Sequence, residues 1–310
     1  MSPAAPPAGD PGARASRIRK ALALAKALFT PVALAFIAYF AWTHREFLGQ
    51  AVSTARGWRL LAAVGLWSGI QLLSALFAKL ALGGAGVAVP YAAALAIHGR
   101  RMPARYIPGG VWHTVGRVLD YRALGAGPRQ LGLFVFLENV LMPAAAFLMG
   151  GALVWRFHPS AGWASAGAAG AGVGAILLLA APVIANRAIL PGLSPPRALA
   201  MAGLSALFWT LAATAFFLYV SAFPGAGIHG SFLQVAGTYL FSWALGFITL
   251  FAPQGIGVFE AVAGDMLTGP AALGGLAALV AGFRLVVLCA DLLVFTATLP
   301  LRSRPRAETP

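Results

Sequence analysis

The chain has 310 residues, of which 60% are hydrophobic and only 10% charged, and its 22 Lys+Arg against 8 Asp+Glu leave a formal charge of +14. A soluble domain carries about 25% charged residues, so the composition argues against a water-soluble fold and for a polytopic membrane protein. A basic soluble chain would suggest nucleic acid; here the cations sit beside or between apolar runs, so no nucleic-acid partner is expected.

Residues 1–26 form a Pro-rich tail with Arg14, Arg17, Arg19, Lys20 and Lys26 against Asp10, read as a disordered, basic cytoplasmic tail. A bilayer core needs roughly 20 apolar residues per helix, and charge-free runs mark the spans from there on. They cover 27–43, 60–82 with Lys79 snorkelling near its end, 131–155, 159–186, 198–228, 230–251 and 271–299, the last with Arg284 and Asp291 inside it. A second basic tail, 300–310, carries Arg302, Arg304 and Arg306 against Glu308. The expectation is an all-α transmembrane helix bundle over 27–299 with about seven to eight spans. The single cysteine, Cys289, excludes an intrachain disulfide.

Two regions do not read as simple spans. Residues 87–120 are apolar for a short stretch, then carry Arg100, Arg101, Pro103 and Arg105 before the break at Pro108, Gly109 and Gly110. Residues 251–269 are interrupted by Pro253, Gly255 and Gly257 and carry Glu260 and Asp265. Proline removes a helix hydrogen bond and glycine tolerates non-helical backbone, so both are expected to be broken or re-entrant helices. Irregular backbone at membrane depth is tolerated where protein buries it or where it lines an aqueous cavity. A pair of such segments, one in each half of the chain, points to a transporter site between two inverted-repeat units. Placing the loops 117–130 and 186–197 and both termini in the cytoplasm puts most loop arginines there, as the positive-inside rule requires; Arg45, Arg56, Arg59 and Arg156 fall outside and oppose it.

Among the cations of the middle block, Arg105 and Arg117 bracket the Pro-Gly-Gly break, with Tyr106, Trp112 and His113 beside them. Guanidinium groups bind phosphate bidentately, which makes an anionic lipid headgroup or a polyprenyl phosphate the natural ligand. Ionisable groups inside apolar spans mark function or structural pairing: Glu138, Glu260, Arg284 and Asp291 are such groups, with Glu138 or Glu260 as the expected partner of Arg284. No GxSxG, Walker A, HExxH or Cys/His cluster occurs, so neither an enzyme nor a metal or other cofactor is expected.

The segments RYIPGGVWHTVGRVLDYRALG, FLEN, FAPQGIGVFEA and GFRLVVL, in this order, resemble the transmembrane domain of lysylphosphatidylglycerol synthases and the flippase-like proteins similar to it. The resemblance runs from about residue 25 to 300 and implies an inner-membrane protein that moves a lipid or lipid-linked sugar between leaflets. The soluble aminoacyl-transfer domain of the synthases has no counterpart expected here. The carry-over falls on Tyr106, Pro108, Gly109, Gly110, Arg117, Glu138, Pro253, Gly255, Gly257, Glu260 and Arg284, with Gln254 where the family commonly has glycine. The expected site therefore joins these residues to Arg105, Trp112 and His113. The expected partner is a phospholipid or polyprenyl-phosphate-linked sugar. The alternative is a non-transporting subunit that anchors a glycosyltransferase or lipid-modifying enzyme; a weaker one is a lipid transferase using Glu260 or His113.

Overall fold

In a computed structural model the protein is described over residues 38–39, 42–107, 111–226, 228, 230–249, 255–268 and 273–301. The two tails, nearly all of the expected span 27–43, and the residues Pro108, Gly109, Gly110 and Pro253 lie outside the described residues. Everything described is helix or connection. The helices are α1 (Arg45–Ser53), α2 (Gly57–Gly84), α3 (Tyr91–Arg100), α4 (Trp112–Arg122), α5 (Pro128–Phe157), α6 (Ala161–Ile184), α7 (Pro195–Val220), α8 (Phe232–Ile248), α9 (Val258–Thr268) and α10 (Leu273–Thr298). A 3-10 turn, Met102–Tyr106, joins α3 towards α4, and a π turn, Ala185–Ile189, ends α6 just after Pro182.

Among the described residues, five helices are long and apolar enough to cross a membrane: α2, α5, α6 with its π turn, α7, and the part of α10 from Ala278 to Thr298. The sixth expected run, 230–251, forms α8, which at 17 residues is shorter. The fifth, 198–228, stops at Val220 because Pro224 and Gly225 start a separate short turn. Charge does not end these helices: α2 begins ahead of Arg59 and α5 ahead of Arg129, each earlier than the apolar run alone suggests. The starts of α5 and α8 are fixed instead by a glutamine at the third helical position: Gln130 Oε1 accepts from the Gly127 N–H and Gln234 Oε1 from the Ser231 N–H.

Side-chain contacts sort the helix ends into two sets. At one end Arg197 donates to Gly83 O, Gln130 to Ala85 O and Arg100 to Leu299 O. At the other, Arg59 donates to Ser221 O, Gln234 to Phe157 O and Tyr219 to Leu279 O. Lys79, Arg100, Arg101, Arg122, Arg129, Arg187 and Arg197 gather at or near the first end; Arg45, Arg56, Arg59 and Arg156 lie at the second.

The centre of the bundle is aromatic where α7, α8, α9 and α10 meet. Phe216 stacks on Tyr239 at 4.8 Å between ring centroids and meets Phe283 edge-on at 5.1 Å, while Tyr239 meets Phe259 at 5.8 Å. Elsewhere the packing depends on missing side chains. Between α5 and α6 a Cβ on Gly151 would lie 2.5 Å from Gly167 O, and one on Gly167 would lie 2.7 Å from Gly151 O and Trp155 N. Helices in lipid gain little from the hydrophobic effect and associate through such close packing. The small-residue run 166–175 thus packs α6 on α5 within the chain, while Ile176 and Leu179 on the other side of α6 stay exposed.

Gly167→Leu is expected to force the two backbones apart and cost about 1–3 kcal/mol, the usual penalty of overpacking, read as a lower unfolding temperature in detergent. Gly172→Leu, where an added Cβ meets nothing within 4 Å, should leave that temperature nearly unchanged.

Candidate functional site

The second interrupted region explains its own glycines. Gly255 and Gly257 have φ of 66° and 88°, in the left-handed region that side chains disfavour. Gly255 also lies against α8, where a Cβ would meet the Gly246 Cα at 2.8 Å. The chain then turns directly into α9. Glu260 caps that start, its Oε2 accepting from the Gly257 N–H at 2.7 Å, and its other oxygen accepts from Arg284 Nε on α10 at 2.6 Å. Glu260 is 4% exposed, so its charge is held by a helix N-terminus and by a guanidinium together.

In the first region Arg117, on α4, is only 2% exposed and forms a two-armed pair with Glu138 of α5; Nη1 to Oε1 is 2.8 Å, and Nη2 donates to Oε2. The guanidinium lies 5.1 Å from the Phe134 ring centre. Arg101 makes a second two-armed pair, both bonds 2.7 Å, with Asp120. Arg105 and Tyr106 reach elsewhere: Arg105 Nη1 lies 3.4 Å and Tyr106 Oη 3.1 Å from Asp291 Oδ2 on α10.

Helix α10 is therefore tied to both interrupted regions, to the second through Arg284 and to the first through Asp291. The two positions are seven residues apart, about 10 Å along the axis. That spacing puts Arg284 and Asp291 on nearly the same helix face, yet each holds a separate partner.

The two regions also repeat one plan with the charges exchanged. Each has an interruption, an 11-residue helix and then a long helix. In the first the short helix gives Arg117 and the long one Glu138; in the second the short helix gives Glu260 and the long one Arg284.

Next to the first region lies a buried polar cluster. His98 Nε2 is 3.0 Å from Gln71 Oε1 of α2, and the His98 and His113 rings meet edge-on at 5.4 Å. Gln71 Nε2, His98 Nδ1, His113 Nε2, Arg117 Nε, Tyr121 Oη and Asp291 Oδ1 are buried without a hydrogen-bond partner among the described residues. Buried polar groups are nearly always satisfied, and these exceptions gather around the first region. Among the described residues no three His, Cys, Asp or Glu side chains gather to hold a metal.

The sequence-expected residues thus fall into three groups. Arg105 and Tyr106 join Asp291; Arg117, Glu138 and His113 line the buried interior of the first region; Gly255, Gly257, Glu260 and Arg284 form the second. Trp112 is half exposed at the start of α4. Arg105 and Arg284 each keep about 30% of the side chain exposed, in contrast to Arg117. Sequence reasoning missed Gln71, whose only signal was an amide within an otherwise apolar helix, and the pairing of Asp291 with Arg105 across 186 residues.

The chain matches no family model and no curated protein.

Glu138→Leu alone strands the buried Arg117 charge and is expected to cost about 3–5 kcal/mol. The double variant Arg117→Met/Glu138→Leu removes both charges and should recover most of that loss. Chemical unfolding in mixed micelles measures both.

Proposed function

We propose that this protein is a translocase for an anionic lipid or lipid-linked sugar in the bacterial inner membrane, similar to the flippase-like transmembrane domain of lysylphosphatidylglycerol synthases. The observation that carries the reading is the attachment of both interrupted regions, through ion pairs, to one helix. Interrupted helices that converge at membrane depth are how transporters present backbone and charge to a polar substrate without exposing either to lipid.

The residues divide the work. Arg105 and Arg284, partly exposed, are the cations that a phosphate can approach, and Tyr106 and Trp112 flank the first of them. Arg117, buried and paired through both terminal nitrogens with Glu138, positions α4 against α5 rather than meeting the headgroup itself. Gly255 and Gly257 supply the turn that brings Glu260 to Arg284. Acyl or prenyl tails stay in the lipid while the headgroup passes.

The uneven distribution of cations supports a cytoplasmic location for the end that holds Arg122, Arg129, Arg187 and Arg197, with both termini on that side. In a Cys289→Ser background, a single cysteine at Gly192 should react with an impermeant maleimide only in inverted vesicles, and one at Ser160 only in right-side-out vesicles. The reverse pattern overturns the orientation.

The function is tested in liposomes with headgroup-labelled phosphatidylglycerol, whose movement is read by quenching from outside. Wild-type protein should move the label, and Arg105→Gln should slow it about tenfold or more, the scale of one charged hydrogen bond to phosphate. Wild-type protein that moves neither this lipid nor a labelled polyprenyl phosphate sinks the translocase reading; recovery of the same inactive chain in a stable complex with a glycosyltransferase would favour the anchoring subunit.

A further inference from the structure

The site contains one ion pair built to exchange partners. Asp291 is 2% exposed, lies inside a helix long and apolar enough to cross a membrane, and leaves its Oδ1 without a hydrogen-bond partner among the described residues. Its cation, Arg105, approaches only one oxygen, at 3.4 Å, from a short turn beside the first interruption. Arg117–Glu138 and Glu260–Arg284 are different: their closest contacts are much shorter, and the carboxylates are held by two arms or by a helix start. Of the contacts made to these interior carboxylates, that of Arg105 to Asp291 is thus the longest, and Arg105 is exposed enough to meet a ligand.

We propose that an anionic headgroup takes Arg105 away from Asp291 and that Asp291 then binds a proton, so that one proton enters the site with each anion. The inference rests on the translocase reading and supplies the coupling ion that it lacks. The charge balance closes. Before the exchange, the carboxylate and the guanidinium neutralise each other. Afterwards the phosphate oxygen accepts from Arg105, and the proton taken from water makes the carboxyl group neutral. Without the proton, a bare carboxylate would remain in a medium that strongly disfavours it. Tyr106 Oη, already 3.1 Å from Asp291 Oδ2, stays as the carboxyl group's hydrogen-bond partner.

The surroundings offer no better replacement cation. Arg284 precedes Asp291 by two turns on α10 and is engaged by Glu260 of α9. Arg117 of α4 is engaged by Glu138 of α5. From α3 and α4 come His98 and His113, both within electrostatic reach of Arg105 and Arg117; from α2 comes the uncharged Gln71, while Lys79 is exposed. The unpartnered nitrogens of His98, His113 and Gln71 make the region beside Arg105 polar enough to admit the water that delivers the proton.

Uptake of one proton on binding requires the apparent affinity for the anion to fall by up to about tenfold per pH unit as pH rises. The experiment uses full-length protein in phosphatidylcholine vesicles containing headgroup-labelled phosphatidylglycerol, with pyranine inside to report protons. For the wild type, the pH slope should approach one decade per unit, and the lumen should acidify as label moves inward. Asp291→Asn, which keeps the hydrogen bonding but not the titration, should flatten the slope and abolish the pyranine signal. A wild-type slope near zero with label still moving overturns the coupling and leaves the translocase intact, as does an Asp291→Asn variant that keeps the wild-type slope. Wild-type protein that moves no label overturns both.

Discussion

A charge inside an apolar bundle must be paired, and that requirement organises this protein. Among the described residues, two interior pairs, Arg117–Glu138 and Glu260–Arg284, each join consecutive helices, and a third, Arg105–Asp291, joins segments 186 residues apart. Desolvation makes each isolated charge expensive, whereas a two-armed guanidinium–carboxylate contact recovers much of that cost. The result is that α4, α5, α9 and α10 are set in register by charge as well as by shape. The aromatic group around Phe216 fills the space where α7 and α8 meet α9 and α10.

The glycine turn and the ion pair of the second region form a single unit. A positive φ at Gly257 ends the irregular segment, its own N–H points at the helix start, and Glu260 at the third position of α9 accepts from it. That uses one oxygen and leaves the other directed at α10. A shorter aspartate would have to give up one of the two contacts. The spacing of glycine and glutamate in GVFE is thus a geometric requirement and carries information even without a relative to compare.

Much of this was legible in the sequence. Charge-free runs located the long helices because burial in lipid forbids unpaired charge, and the proline and glycine clusters located the interruptions because they cannot continue a helix. The Glu260–Arg284 pair was among the expected partners for the same reason. Helix ends were less legible, since Arg59 and Arg129 sit within helices whose ends reach past the apolar core. Arg105–Asp291 was hidden because pairing across 186 residues depends on which helices become neighbours, and sequence periodicity does not report that. Arg117 looked from sequence like a cation open to ligand; its burial follows from the position of Phe134 and Glu138 on the adjoining helix, one turn apart. His113 and Arg117 share a face of α4 because they are four residues apart, but only the packing of α3 brings His98 to the same place.

The glycine contact between α5 and α6 also bears on motion. Backbone resting on backbone has no rotamers to rearrange and no slack to slide through, so these two helices travel as one body. In the proposed translocation, any opening for a headgroup would then be taken up where the backbone is already irregular, around the short helices α4 and α9. On that view the rigid pair is the fixed wall, and movement falls to the short helices, α4 held to α5 by Arg117–Glu138 and α9 to α10 by Glu260–Arg284.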